Sequence, residues 1–95
     1  MIRSFKDKET ENVYHGIFSR RLPGNIQKIA LRKLIMLNSS SSLNDLRIPP
    51  SNHLEKLKGN LEGYYSIRIN DKYRIIFKLD VNGVDVIEVE IVDYH

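Results

Sequence analysis

The chain has 95 residues, a formal net charge of +3 and no cysteine. A chain of this length forms one small domain, here predicted to span residues 1–95, with a single modest core. The lack of cysteine excludes disulfides and thiolate metal sites, and no apolar run approaches the ~20 residues of a membrane span. We therefore expect a cytoplasmic protein that does not associate with membranes.

Charge is distributed unevenly along the chain. Residues 1–79 contain all 15 Lys and Arg residues, whereas residues 80–95 contain five acidic residues and no Lys or Arg. A basic surface attracts polyanions, and nucleic acid is the commonest polyanion in the cytoplasm. Solvated surface lysines would give the same composition, so charge alone leaves both interpretations open.

The first predicted elements are a short strand at residues 2–5 and a helix from about 8 to 18. Asp7 is placed to cap this helix. Four apolar residues recur at helical spacing and are predicted to face the core: Val13, Tyr14, Ile17 and Phe18. Residues 19–24 include Pro and Gly, which predicts a mobile basic loop.

A second helix is predicted from about residue 25 to 37. Its apolar residues recur at i, i+3, i+4, i+8 and i+11, the pattern of a helix with one buried stripe. They are Ile26, Ile29, Ala30, Leu34 and Leu37. Lys28, Arg32 and Lys33 are predicted to lie on the exposed flank.

From residue 54 onward the apolar period changes to two. Residues 54–58 form a weak strand, and stronger strands are predicted at 64–69, 73–79 and 84–92. The loops between the strong strands are short, which predicts an antiparallel meander. Two helices followed by a meander indicate an α+β domain whose helices pack on one face of the sheet.

The apolar pattern also predicts the register of the first hairpin. An odd loop pairs Ile67 with Ile75, and this places Arg68 opposite Arg74. Two arginines on neighbouring strands repel each other unless they share an anion. The alternative is that Arg74 simply pairs with an acidic residue across the sheet.

For the second hairpin, the same reasoning pairs Phe77 with Ile87 and places Arg74 opposite Glu90. One face of the sheet would then carry the polar residues and the other face the isoleucines. The polar set is Arg68, Arg74, Glu90 and Tyr94, with His95 at the edge.

Asp93, Tyr94 and His95 follow the last predicted strand and bring a carboxylate, a phenol and an imidazole to this face. Arginines suit a phosphodiester and the extra charge of its pentavalent transition state. A histidine with a pKa of ~6.5 takes or gives a proton at neutral pH. RNA supplies its own nucleophile, the 2′-hydroxyl, so this set predicts RNA cleavage that requires no metal and no cofactor.

Three segments resemble HigB-type toxins of the RelE superfamily: LKG at 57–59, GYYSIRINDKYR at 63–74 and VDYH at 92–95. IRSF at 2–5 and RIPPSN at 47–52 are similar to its GraT-like branch. The resemblance covers essentially the whole chain. It implies a RelE-like fold and a ribosome-dependent endoribonuclease that cuts mRNA. It also implies a cognate, HigA-like helix-turn-helix antitoxin. The toxin would contact operator DNA only through this antitoxin.

The resemblance also implies roles for individual residues. Matched by position, the catalytic set is Arg68, Arg74, Asp93, Tyr94 and His95. The implied RNA contacts are Lys58, Asn70, Lys56, Arg32 and Lys28. Some relatives carry a histidine where Glu55 stands, so a role for the nearby His53 does not follow.

Two other functions are compatible with these residues. A protein of the same fold can inhibit its target by binding alone, because fold does not determine function. A standalone RNA-binding module is the third possibility. The arginine pair and His95 favour the nuclease, since a protein that only binds has no need of them.

Overall fold

The computed structural model describes residues 1–93. In this part of the chain the helices are α1 (Lys8–Tyr14) and α2 (Gly24–Ser39), and the strands are β1 (Glu55–Lys56), β2 (Tyr65–Arg68), β3 (Tyr73–Leu79) and β4 (Val86–Asp93). The strands pair antiparallel in the order β1-β2-β3-β4. The predicted α+β architecture with a meander is therefore confirmed. Within residues 1–93, no helix combines the length and apolar character needed to span a bilayer.

The N-terminal segment lies beside β4. Ile2 and Phe5 form parallel bridges with Val86 and Val89, and the backbone N–H of Arg3 donates to the Val86 carbonyl at 2.8 Å. The predicted strand at 2–5 is thus reduced to two bridges, which extend the sheet at its β4 edge.

Both helices pack on one face of the sheet and bury the core there. The residues with at most 1% exposure on this side include Ile26, Ala30, Leu34, Leu37, Ile67, Ile75, Phe77 and Val89. Each fully buried aliphatic or aromatic side chain contributes about 1.5–3 kcal/mol relative to an exposed one. The opposite face carries a smaller apolar cluster of Leu57, Tyr64 and Ile76, so it remains largely available to polar groups.

The first helix is shorter than predicted. It ends at Tyr14, and Gly16 adopts a left-handed conformation with φ of 76°. Because the chain turns there, Ile17 and Phe18 leave the helical stripe and are 54% and 69% exposed. The prediction that these two residues face the core is wrong.

The segment at residues 19–24 is held to α2 and does not hang free as a mobile loop. Ser19 is 1% exposed, and its backbone N–H donates to Gln27 Oε1 at 2.9 Å. Gln27 Nε2 in turn donates to the carbonyls of Ser19 at 2.7 Å and Leu22 at 2.9 Å. Arg21 pairs with Asp7 at 2.6 Å. One glutamine at the start of α2 thus satisfies three backbone groups of the segment.

The first hairpin has the predicted register. Ile67 lies opposite Ile75 and Arg68 opposite Arg74. The apolar alternation therefore determines the two faces at this point of the sheet, with the isoleucines toward the helices.

The predicted register of the second hairpin is wrong by one residue beside the turn, where Ile87 lies opposite Lys78 and not Phe77, and by two residues at Arg74. Arg74 lies opposite Val92, whereas Glu90 lies opposite Ile76. The register shifts between Ile76 and Lys78, where Glu88 has a positive φ of 53°. This bulge places one extra residue in β4. Since a shift of two residues preserves the face, Val92 still lies on the side of Arg74.

Candidate active site

Arg74 is the centre of the polar cluster on the sheet face away from the helices. Its Nη1 donates to Ser66 Oγ at 2.9 Å and to the His53 carbonyl at 3.1 Å, and its Nη2 donates to Glu55 Oε1 at 3.0 Å. Arg74 is 9% exposed and Ser66 is fully buried. The guanidinium is therefore fixed in position by neighbours on β1, on β2 and in the segment before β1.

Among residues 1–93, Arg74 forms an ion pair with Glu55 and not with Glu90, which was predicted to lie opposite it. Glu55 pairs with Ser66 of β2, which brings its carboxylate within reach of β3. The carboxylate of Glu90 lies instead 3.9 Å from Lys6 Nζ. The bulge in β4 accounts for one residue of the displacement of Glu90 from the position opposite Arg74, and the register beside the turn, where Leu79 lies opposite Val86, accounts for the other.

Arg68 lies directly opposite Arg74 but has a different environment. Its side chain is 33% exposed and pairs with the carboxylate of Asp71 in the following turn. Each arginine thus has its own carboxylate, which offsets the repulsion between them. The two guanidinium groups supply permanently charged donors from neighbouring strands.

The end of β4 brings Val92 beside Arg74. Asp93 lies opposite Tyr73, and its carboxylate is 3.7 Å from Lys72 Nζ. Because side chains alternate along a strand, Asp93 and Val92 point to opposite faces, so the prediction that Asp93 lies on the face of Arg74 is wrong. Tyr94, which was predicted to continue on the face of Arg74, lies outside the described residues, as does His95.

The predicted RNA contacts divide into two groups. Lys56 and Lys58 are exposed and line a surface cavity of about 480 Å³ near β1. Asn70 lies in the turn between β2 and β3, where its Oδ1 accepts the backbone N–H groups of Lys72 and Tyr73 at 2.9 and 2.8 Å. Lys56 follows Glu55 on β1, and Asn70 follows Arg68 by two residues.

Lys28 and Arg32 lie on α2, in the helical layer on the other side of the sheet. Lys28 lines a groove of about 330 Å³ between α1 and α2, together with Ile17 and Phe18. The structure therefore does not bring these two residues together with Arg74.

Ser66 is a site residue that the sequence prediction missed. Ser66 precedes Arg68 by two positions, so strand alternation would have placed it on the same face.

Lys33 was predicted to be exposed, and that prediction is wrong, since it is 9% exposed. It stands three residues after Ala30 and four before Leu37, which is a position on the apolar stripe of α2.

The arrangement can bind and stabilise an anion through two arginines, one rigid and one partly exposed. Within residues 1–93, no group of three or more His, Cys, Asp or Glu side chains is arranged to hold a metal ion. A planar, permanently charged guanidinium held by three neighbours is suited to stabilising the charge of a phosphoryl transition state.

Solved structures with the same fold are toxins of the RelE and YoeB type. The YoeB–YefM complex from Staphylococcus aureus matches with a TM-score of 0.57 at 23% identity, covering 100% of this chain and 98% of that chain. The toxin–antitoxin complex RelBE2 from Mycobacterium tuberculosis matches with a TM-score of 0.51 at 19% identity, covering 99% and 96%. The fold is therefore RelE-like.

Sequence comparison defines the family within this fold. The profile for the RelE-like toxin of the type II toxin-antitoxin system HigB matches residues 3–95. Toxin HigB-1 of Vibrio cholerae is 46% identical over 85 residues, covering 88% of each chain. An uncharacterised protein of Haemophilus influenzae is 42% identical over 82 residues, covering 85% of this chain and 81% of its own. This chain belongs to the HigB-like toxin family.

Proposed function

We propose that this protein is a ribosome-dependent endoribonuclease that cuts mRNA during translation. Its membership of a family of RelE-like type II toxins supports the biological context. The observation that carries the chemistry is the rigidly held Arg74 guanidinium directly opposite Arg68 on the sheet face that the helices leave uncovered. Such a pair suits a phosphodiester, whose charge increases in the transition state.

In the proposed reaction, the 2′-hydroxyl of the RNA attacks the adjacent phosphorus. The 2′-O–P bond forms, the P–O5′ bond breaks, and the products are a 2′,3′-cyclic phosphate and a 5′-hydroxyl. Arg68 and Arg74 stabilise the charge on the phosphoryl oxygens. Tyr94 and His95 remove the proton of the 2′-hydroxyl and protonate the leaving oxygen, and Asp93 supports His95.

RNA contacts outside the reacting phosphate are assigned to the basic residues. Lys56 and Lys58 line the cavity beside β1, and their charges favour the backbone on one side of the cut phosphate. Asn70 contributes from the turn next to Arg68. Lys28 and Arg32 on α2 would contact structured ribosomal RNA, which is recognised largely through its backbone and shape.

The same proposal includes a protein partner. The solved relatives from S. aureus and M. tuberculosis are toxin–antitoxin complexes, and this supports a cognate antitoxin here. We assign it to the helix-turn-helix, HigA-like class, with operator DNA contacted by the antitoxin. The site of action is the cytoplasm, where translating ribosomes are found.

A toxin that inhibits by binding alone is the second candidate function. The observation in its favour is the ion pair between Arg74 and Glu55, because a substrate phosphate has to compete with this carboxylate for the guanidinium. The two functions differ in one measurable product, the cleaved RNA.

The test is cleavage of mRNA on ribosomes programmed with a defined codon in the decoding site. Purified wild type is compared with His95→Ala and Arg74→Lys, and RNA 5′ ends are mapped by primer extension. Cleavage by the wild type within the reading frame, at least about 100-fold slower in both variants, supports the nuclease.

Two controls accompany this test. The same mRNA without ribosomes measures any cleavage of free RNA, and expression in growing cells without antitoxin measures toxicity. Equal toxicity of wild type and His95→Ala, with no cut ends in either, contradicts the nuclease and supports inhibition by binding.

A further inference from the structure

Lys33 is a buried cation that the proposed reaction does not use. Its Nζ donates a hydrogen bond to Asn52 Oδ1, and none of the ion pairs among residues 1–93 includes it. Burial lowers the pKa of Lys33, and the positive charges of Arg32 and Arg68 lower it further. Burying an amine in such surroundings costs free energy. The hydrogen bond to Asn52 offsets part of this cost.

Asn52 uses both ends of its side-chain amide. It is fully buried, its Oδ1 accepts from Lys33, and its Nδ2 donates to the carbonyl of Leu46 at 3.0 Å. Its backbone N–H donates to the Pro49 carbonyl at 2.9 Å. Asn52 ends the short 3-10 helix Pro50–Asn52 and thus joins α2 to the segment that precedes β1.

The segment immediately after Asn52 carries two of the hydrogen-bond acceptors of Arg74. His53 supplies its carbonyl at 3.1 Å and Glu55 its carboxylate at 3.0 Å. His53 has a left-handed conformation with φ of 45°, which few residues other than glycine adopt. The direction of its carbonyl therefore depends on how firmly the preceding turn is held.

We propose that Lys33 and Asn52 are positioning residues for Arg74. Their hydrogen bond fixes the start of residues 52–55 against α2, and this segment then holds the guanidinium from one side while Ser66 holds it from the other. The kinetic consequence rests on the proposed nuclease function. The structural consequence, the rigidity of Arg74, does not.

The first experiment measures that rigidity directly, without RNA. The guanidinium signals of Arg74 are recorded by ¹⁵N NMR in wild type, Lys33→Met and Lys33→Gln, and are assigned by their loss in Arg74→Lys. We expect separate, slowly exchanging Nη signals in the wild type and rotation at least about tenfold faster in Lys33→Met. Lys33→Gln keeps an N–H donor, and we expect an intermediate rate.

The matched control is Lys8→Met, which removes an exposed lysine from α1. We expect it to leave the Arg74 signals unchanged. Thermal unfolding of each variant verifies that the comparison is made on folded protein. If Lys33→Met does not fold, Lys33→Gln serves as the variant on which the result is judged.

The second experiment measures ribosome-dependent cleavage. A misplaced Arg74 predicts that kcat falls about 10- to 100-fold in Lys33→Met while KM changes less than about twofold. In the Arg74→Lys background the same substitution should lower kcat by less than about twofold, because the two residues act through one group.

Specific results overturn the proposal. If Lys33→Met lowers the thermal midpoint but leaves the Arg74 signals as in the wild type, Lys33 has only a general role in stability and the proposal is wrong. If the wild type is active and Lys33→Met has the same kcat, the conclusion is the same. An inactive wild type counts against the nuclease instead, and the NMR result alone then decides whether the positioning is real.

Discussion

Arg74 and Glu55 form an ion pair whose two side chains differ in exposure. The Arg74 side chain is 10% exposed and that of Glu55 is 48% exposed, with Nη2 and Oε1 3.0 Å apart. The carboxylate is therefore the more accessible member, although the arginine is the group suited to phosphate. Glu55 both orients Arg74 and competes with an incoming anion for it.

These two effects of Glu55 can be separated by substitution. Glu55→Gln keeps an acceptor for Nη2 but removes the negative charge, so we expect KM for ribosome-bound mRNA to fall while kcat changes less than about threefold. Glu55→Ala removes the acceptor as well and should lower kcat about tenfold, or about 1.4 kcal/mol. Steady-state cleavage measures both. Wild-type kcat in Glu55→Ala would show that this tether is dispensable.

Arg74→Lys tests the value of the planar guanidinium. A lysine cannot reproduce the hydrogen bonds to Ser66, His53 and Glu55 at once, so buried Ser66 Oγ loses its donor. We expect cleavage to fall at least about 100-fold and the free energy of unfolding to drop about 1–3 kcal/mol. Arg47→Lys at an exposed position is the matched control. An equal effect of both substitutions on unfolding would contradict the prediction.

The alternation of apolar residues predicted the face on which each residue of the first hairpin lies. It was less successful in predicting which residues pair between neighbouring strands. Arg68 was predicted opposite Arg74 because only one register of the first hairpin keeps the core apolar. The partner of Arg74 on β4 was missed for two reasons: the register beside the turn differs from the predicted one by one residue, and the bulge at Glu88 adds another.

Helical spacing had a similar limit. It predicted the buried stripe of α2 but also placed Phe18 in the core, since the pattern does not reveal that the chain turns at Gly16. Lys33 was assigned to the surface because of its charge, although its spacing matches the stripe. A long-range partner such as Asn52 cannot be read from residues nearby in sequence.

The bulge in β4 gives a prediction about stability. Glu88 is held at φ of 53° while its carboxylate accepts from Tyr64 and lies near Lys78. Glu88→Gly and Glu88→Val lose the same contacts, but only glycine adopts this conformation without strain. We expect Glu88→Gly to be about 1–2 kcal/mol more stable than Glu88→Val in urea unfolding.

The control for this pair is the same comparison at Glu90, in the regular part of β4. There the order should reverse, because valine favours an extended strand and glycine weakens it. Finding Glu88→Val as stable as Glu88→Gly would mean that the chain relieves the bulge at little cost.

Asp85 gives a prediction about pH. It accepts hydrogen bonds from Asn82, Arg3 and the N-terminal ammonium of Met1. The bonds from Asn82 and Arg3 are the main causes that lower the pKa of Asp85 from 3.8 to about 2. The folded protein therefore binds this proton less tightly than the unfolded chain does. The stability that Asp85 contributes is complete above pH 3.8 and is lost as the pH falls to about 2.

Asp85→Asn measures this contribution. At pH 6 we expect the variant to unfold at a lower temperature than the wild type, because the amide cannot replace a carboxylate between an arginine and an ammonium group. The difference should shrink as the pH is lowered through the range in which the folded carboxylate becomes protonated. Glu62→Gln, at an exposed position, controls for removal of a negative charge. A difference between Asp85→Asn and wild type that stays constant down to the lowest pH would contradict the assignment.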